Sequence, residues 1–121
     1  MTELLTNQEI FDKVYVHLLT QNQKSLVYGL DCVYRNEKGL KCAIGCLIPD
    51  EMYKPEYDTT AGLGALFVAF EDDMTKFGLN HEKHFDLLLD LQQIHDVIEI
   101  EYWKERLIDL AEKFELKAPK E

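Results

Sequence analysis

The sequence predicts an α+β domain that is mostly helical, with about four helices and one β-hairpin after the first helix. A capping box at Thr6-Asn7-Gln8-Glu9, followed by apolar residues at helical spacing, predicts a helix over residues 7–21. Residues 30–48 are rich in Val, Ile, Tyr and Cys on both sides of the turn Asn36-Glu37-Lys38-Gly39, which predicts the hairpin. Helical spacing returns across residues 60–116, where we expect the other helices.

The helices of the 60–116 region carry recognisable end signals. One of the residues 58–60 is expected to cap a second helix that runs to about Phe77, with Gly78 as its C-terminal stop. Asn80 is expected to cap the third helix. The segment Asp96-Val-Ile-Glu99 matches a second capping box, so a fourth helix is expected to begin near residue 97.

Length and charge narrow the class of protein. The chain of 121 residues is expected to form a single domain over 1–121. Its 23 acidic and 13 basic residues give a net charge of −10, which disfavours nucleic-acid binding because contacts with the phosphate backbone rely on Lys and Arg. No apolar run approaches the ~20 residues of a membrane span, and the first residues lack the pattern of a signal peptide. We therefore expect a cytoplasmic protein that binds neither nucleic acid nor membrane.

The predicted hairpin holds all the cysteines of the chain, which are Cys32, Cys42 and Cys46. An odd number favours a reducing compartment over a disulfide framework. The strand register that best separates apolar from polar side chains places residue 35 opposite 41, and therefore Cys32 opposite Ile44. Buried structural cysteines are the expected outcome in that register.

Metal binding is weakly indicated. Along a straight strand Cys42 and Cys46 would lie about 13 Å apart, which is too far to share one zinc ion. A zinc-stabilised domain remains an alternative only if the chain bends at Gly45 or residues 43–47 are helical. His81 and His84 have a spacing that can share a metal, but such residues in a first helical turn are usually exposed and free. We expect no metal and no cofactor.

A cysteine-dependent enzyme is a second alternative. Cys42 or Cys46 could act as nucleophile with His95 as the base, since His95 falls on the apolar stripe of the third helix. Gln92 or Asp50 could orient His95. The neighbouring Asp96 is expected to be a helix cap instead. A hydrogen-bonded core histidine is the competing interpretation of His95.

The turn of the hairpin carries a cationic cluster in an otherwise acidic chain. Arg35 and Lys41 would face each other, which costs about 0.2–1 kcal/mol unless an anion lies between them. That anion could be a carboxylate of the protein or a bound phosphate, nucleotide or carboxylate. The predicted ligand-binding residues are Arg35, Lys41, Asp50 and Tyr53.

The hairpin segment also carries a resemblance. It reads Cys32-x-Tyr34-Arg35 and then Gly39-Leu-Lys-Cys42-Ala-Ile-Gly-Cys46-Leu-Ile-x-Asp50-x-x-Tyr53, with Leu91-x-x-Ile94-His95-Asp96 downstream. These residues resemble a group of small uncharacterised proteins from bacteria and their phages, for which no activity is known. The resemblance implies a small cytosolic accessory or counter-defence protein that a phage could encode.

A non-enzymatic binding protein is the function that we expect. Its hairpin and the following loop would contact a host protein or sequester a small anionic ligand. A homodimer that covers the edge of the hairpin is compatible with this function, because two strands alone are marginally stable.

Overall fold

Helices form most of the fold. The computed structural model describes residues 4–27, 31–36, 38–60 and 62–118. The α-helices in these ranges are α1 Asn7–Gln21, α2 Leu63–Ala69, α3 Glu71–Lys76, α4 His81–Val97 and α5 Trp103–Lys113. Short 3-10 turns lie at Gly45–Leu47, Asp50–Met52, Pro55–Thr59 and Ile100–Tyr102.

The predicted α+β class is wrong, and so is the predicted hairpin over residues 30–48. Extended pairing in the described ranges is limited to β1 Leu26–Val27 with β2 Asp31–Cys32, and to one isolated antiparallel bridge between Arg35 and Lys41. Cys32 therefore pairs with Leu26 and not with Ile44. Segments of two residues do not make a sheet that could define the fold class.

Residues 42–48 form a helical turn where a strand was expected. The Cys46 N–H donates to the Cys42 carbonyl at 3.1 Å, and the Leu47 N–H donates to the Ile44 carbonyl at 2.9 Å. Most side chains of this apolar run are buried, because the turn packs against α1. A short apolar run that is buried on every side is compatible with a strand or with a helical turn, so its composition did not decide between them.

The first and third predicted helices are confirmed. Thr6 Oγ accepts the Glu9 N–H at 3.0 Å while the Glu9 carboxylate accepts the Thr6 N–H at 2.9 Å, which completes the capping box of α1. Asn80 caps α4 by accepting the Lys83 N–H at 2.9 Å.

The other two helices differ from the prediction. The expected helix ending at Gly78 is divided into α2 and α3 at Phe70, whose φ of −131° and ψ of 40° are not helical. The ring of Phe70 meets Tyr57 edge to face, with centroids 4.8 Å apart. The predicted start near residue 97 is also wrong, because Asp96 belongs to α4 and α5 begins at Trp103.

The core lies between α1, α4 and α5, which pack on one another. Trp103 is its largest fully buried side chain, and α1 contributes a stripe consisting of Ile10, Phe11, Val14, Tyr15 and Leu18. No helix within the described ranges combines the length and the apolar character needed to cross a bilayer. This core supports the irregular segment 31–60, which carries the candidate site.

Candidate functional site

The residues predicted to bind a ligand lie together in the structure. We call Arg35, Lys41, Asp50 and Tyr53 the Asp50 cluster. The Oδ1 atom of Asp50 lies 2.8 Å from Lys41 Nζ and 2.9 Å from Arg35 Nη2. The Arg35 guanidinium lies over the Tyr53 ring at 5.0 Å from its centroid, a cation–π geometry. The cluster therefore joins the bridge at residues 35 and 41 to the 3-10 turn that begins at Asp50.

Main-chain contacts place the two cations side by side. Arg35 and Lys41 form the isolated antiparallel bridge. Between them, the side chain of Asn36 accepts the N–H groups of Lys38 at 3.0 Å and Leu40 at 2.9 Å, which holds the turn closed. The repulsion expected between facing cations is thus offset by local hydrogen bonds and by Asp50.

Helix α1 anchors this bridge from the other side. Gln21 accepts the Lys41 N–H at 2.9 Å, and its amide donates to the Lys41 carbonyl at 2.8 Å. His17 Nε2 lies 2.8 Å from the same carbonyl and donates to it. The main chain of Lys41 is therefore fixed, while its side chain is free to reach toward Asp50.

The two partners of the ion pairs differ sharply in exposure. The Arg35 side chain is 14% exposed and the Asp50 side chain is 75% exposed. Arg35 also donates to the Ile48 carbonyl, and its Nε is buried without a hydrogen-bond partner among the described residues. The hydrogen bond from Lys41, followed by the charges of Lys41 and Arg35, lowers the pKa of Asp50 below its usual value. Asp50 is thus an ionised surface carboxylate lying on two cations.

Tyr53 is oriented by a further carboxylate that the sequence did not indicate. Its hydroxyl donates to Asp58, whose other oxygen accepts the Tyr34 N–H at 2.6 Å. Burial, with the hydrogen bond to Asp58, raises the pKa of Tyr53, so the phenol stays protonated. Asp58 was one of three residues, 58–60, expected to cap a helix, and its bond to the Tyr34 N–H, 24 residues away, is a contact that no local pattern indicates.

A shallow depression adjoins the cluster at Lys41. Its volume is about 580 Å³, and it is lined by Asp12, Lys13, Val16, His17, Lys41 and Cys46. A separate, smaller cleft has a volume of about 230 Å³, with Tyr34, Asp58, Thr60, Gln92 and Asp96 among its lining residues. The carboxylates of this cleft already accept hydrogen bonds from the protein, so it offers less to a ligand.

The candidate nucleophiles are poorly suited to catalysis. Cys42 is fully buried, and its sulfur accepts the Gly45 N–H at 3.2 Å. The Cys46 thiol donates to the Ala43 carbonyl at 3.1 Å. Burial raises the pKa of both thiols, that of Cys46 to about 12. A nucleophilic cysteine needs the opposite shift, because the thiolate is the reactive form.

His95 is part of the core, as its position on the apolar stripe predicted. Its Nε2 accepts the Ser25 N–H at 2.9 Å, and its Nδ1 lies 2.7 Å from the Asp96 carboxylate. The ring stacks on Trp103 with centroids 5.7 Å apart. Both ring nitrogens therefore have partners other than a thiol.

The expected partners of His95 need correction. Asp96 is not a helix cap, and it is the residue that orients His95. Gln92 supports this arrangement, because its amide donates to Asp96 at 2.7 Å and its oxygen accepts the Ile44 N–H at 3.0 Å. Asp50, the other expected partner, pairs with Arg35 and Lys41 instead.

The histidine pair of α4 does not converge on a metal. His84 is buried, its Nδ1 accepts the Asn80 N–H at 2.9 Å, and its Nε2 donates to the Leu5 carbonyl at 2.8 Å. His81 is exposed and lies between the rings of Phe67 and Phe85. No group of three or more potential metal ligands occurs within the described ranges, which do not include the side chain of Cys32.

Comparisons with known proteins do not assign the chain to a family. No protein-family model matches the chain, and searches of curated proteins and of solved structures found no match. The resemblance to small bacterial and phage proteins therefore stays a prediction.

Proposed function

We propose that this protein is a non-enzymatic binding domain that takes an oxyanion on the Asp50 cluster. The oxyanion is a carboxylate or phosphate, carried either by a partner protein or by a small ligand. The observation that carries this proposal is the pair of neighbouring cations, Arg35 and Lys41, whose shared counter-ion is a largely exposed carboxylate at 2.8–2.9 Å. The site therefore already binds one carboxylate, in a place that solvent and ligands can reach.

The chemistry of the two cations suits an oxyanion. The planar guanidinium of Arg35 presents several donors and is held against Tyr53 and the Ile48 carbonyl, so little freedom remains to be lost on binding. Lys41 adds a point charge at the end of a flexible stem. The resulting positive patch stands out in a chain of net charge −10, which would steer other anions away from the rest of the surface.

The contacts of the cysteines favour this proposal over a thiol-dependent enzyme. The thiols of Cys42 and Cys46 donate to or accept from the main chain, and burial raises the pKa of each. The ring nitrogens of His95 are engaged by Ser25 and Asp96. In the phage context that the resemblance implies, the oxyanion would belong to a host protein or to a metabolite of the host.

Nuclear magnetic resonance of the isotope-labelled chain tests this proposal directly. Titration with inorganic phosphate should produce saturable shifts of amide signals at residues 35–41 and 48–53. Lys41→Gln should abolish these shifts, because it removes one of the two cations. Lys38→Gln is the matched control, since Lys38 is exposed on the same turn and should leave the titration unchanged. Absence of saturable shifts in the wild-type cluster, with phosphate and with a capped glutamyl peptide, would overturn the proposal.

A further inference from the structure

The Asp50 cluster holds more positive than negative charge. Arg35 and Lys41 carry two positive charges between them and Asp50 carries one negative charge, so the three side chains joined by these ion pairs have a net charge of +1. The next carboxylate, Asp58, lies beyond the Tyr53 ring and is engaged by the Tyr53 hydroxyl and the Tyr34 N–H. The positive field reaches further, because Lys41, Lys13 and Arg35 all act electrostatically on the Cys46 thiol. A ligand with two negative charges would neutralise the pair of cations that Asp50 neutralises only in part.

Asp50 is the most exposed of the three charged side chains in the cluster, so it is the one that a ligand can displace. Its side chain is 75% exposed, so a displaced carboxylate returns to water without uncovering apolar surface. The pair with Lys41 is the more exposed of the two, because the Lys41 side chain is 29% exposed, and exposed pairs contribute little to stability. The pair with the largely buried Arg35 is the one that the incoming ligand must replace. Arg35 would keep its place, because it still donates to the Ile48 carbonyl and lies on the Tyr53 ring.

From this asymmetry we infer that Asp50 is a resident competitor which the ligand displaces, and that the ligand is a doubly charged oxyanion of the phosphate monoester class. The inference rests on the proposed function. A single carboxylate would replace Asp50 charge for charge, and it would compete against a group whose tether gives it a high local concentration. A phosphate dianion brings a second charge and three acceptor oxygens, so it can pair with both cations at once.

The surroundings leave room for the rest of such a ligand. The depression of about 580 Å³ is lined by Lys41 together with Lys13 and Val16 of α1. Asp12 also lines it, and its carboxylate accepts a hydrogen bond from Gln8 at 2.8 Å. Val16 is 58% exposed there and offers an apolar surface beside the cations. A phosphoryl group on the cluster can therefore belong to a small molecule or to a phosphorylated side chain of a partner protein.

The test compares three probes on three proteins. The probes are inorganic phosphate, a capped phosphoseryl tripeptide and a capped glutamyl tripeptide, titrated into the labelled full chain. The proteins are the wild type, Asp50→Asn and Glu51→Gln. Glu51 is the exposed neighbour of Asp50, so its variant makes the same change in net charge without touching the ion pairs.

We expect the wild type to bind both phosphate probes more tightly than the glutamyl peptide. Asp50→Asn should tighten binding of every probe about three- to tenfold, because the resident competitor is gone. Asp50→Asn should also reduce the ratio between the affinity for the phosphate probes and the affinity for the glutamyl peptide. Glu51→Gln should change affinity by less than about twofold, since charges off the site act only through screened solvent. The relative affinity of the two phosphate probes identifies the source, a partner protein if the peptide binds more tightly and a small ligand if it does not.

The outcomes separate this inference from the proposed function. If the wild type binds but Asp50→Asn behaves like Glu51→Gln, Asp50 is not a competitor and only this inference falls. If the glutamyl peptide binds the wild type as tightly as phosphate does, the assigned ligand class is wrong. If neither the wild type nor Asp50→Asn binds any probe, the proposed function falls and this inference falls with it.

Discussion

The Nε2 atom of His95 accepts a hydrogen bond from the Ser25 main-chain N–H, and both residues are fully buried at an N···N distance of 2.9 Å. An accepting nitrogen carries no proton, so the proton of the neutral ring is on Nδ1 and points to Asp96. His95 thereby joins α4 to the segment before β1, across 70 residues of sequence. His95 is therefore a structural residue, since a general base needs a ring nitrogen that is available to accept a proton from the substrate.

Replacing His95 should lower stability by an amount typical of a lost buried hydrogen bond. His95→Phe keeps an aromatic ring on Trp103 but leaves the Ser25 N–H without an acceptor, which should reduce the free energy of unfolding by about 1–3 kcal/mol. Urea denaturation followed by circular dichroism measures it. His81→Phe is the matched control, because His81 is exposed on the same helix, and it should stay within about 0.5 kcal/mol of the wild type. Equal stability of both variants would show that the buried bond contributes nothing.

Gly45 lies directly against the main chain of Tyr34. A Cβ atom at this position would lie 1.9 Å from the Tyr34 carbonyl oxygen, which is main chain and cannot move aside alone. Gly45→Ala should therefore reduce the free energy of unfolding by about 2–3 kcal/mol or more.

Gly64 provides the control for this substitution. It lies in α2, and a Cβ there would meet nothing within 4 Å. Gly64→Ala should raise the free energy of unfolding by about 0.5–1 kcal/mol, because alanine loses less conformational freedom in a helix. In urea denaturation, the two substitutions should change the free energy of unfolding in opposite directions. A Gly45→Ala variant as stable as the wild type would contradict the close approach to Tyr34.

The parts of the fold that follow from local rules could be predicted. The capping box at Thr6 and Glu9 and the cap at Asn80 depend on residues three positions apart, so the sequence contains the whole interaction. The turn around Asn36 is equally local. The pairing of residue 35 with 41 was predicted from the alternation of apolar and polar side chains, and it is present although the hairpin predicted around it is wrong.

The rest depends on contacts that no local pattern encodes. Residues 42–48 pack against α1 and Gln92. This environment favours a helical turn, although the apolar run by itself is equally compatible with a strand. The bond from Ser25 to His95 and the bond from Tyr34 to Asp58 likewise join residues that are 70 and 24 positions apart, so they arise only after folding. Of the candidate site, Arg35, Lys41, Asp50 and Tyr53 could therefore be predicted, whereas Gln21 and Asp58, which hold them in place, could not.

The cysteines should be unreactive in the folded protein. Burial raises the pKa of Cys46 to about 12, so its thiolate fraction at pH 8 is on the order of 10³ lower than in an unfolded chain with an ordinary thiol. Alkylation by iodoacetamide at Cys42 and Cys46 should be at least about 100-fold slower in buffer than in urea. Timed mass spectrometry of the peptides measures each site. Rapid alkylation of Cys46 in the folded protein would instead favour the cysteine-dependent enzyme.

Stability should fall as the pH drops below about 6.5. Burial lowers the pKa of His84 below its ordinary value of 6.5, because the charged ring would lose its hydration. Burial lowers the pKa of His17 in the same way. Below pH 6.5 these histidines bind protons in the unfolded chain but remain neutral in the folded chain. The free energy of unfolding is therefore largest above pH 6.5 and declines below it.

Variants of these histidines test whether they cause the decline. His84→Gln should cost about 1–2 kcal/mol at pH 7.5, because its bonds to Asn80 and Leu5 are disturbed, yet it should lose less further stability than the wild type between pH 7.5 and 5.5. His17→Gln should flatten the same profile, and the double variant should be flatter than either single variant, since the two residues contact different segments. Urea denaturation across this pH range provides the profiles. A wild-type stability that is constant or rises toward pH 5.5 would contradict the lowered pKa values of the buried His84 and the half-buried His17, because keeping such a ring neutral costs more free energy as the proton concentration increases.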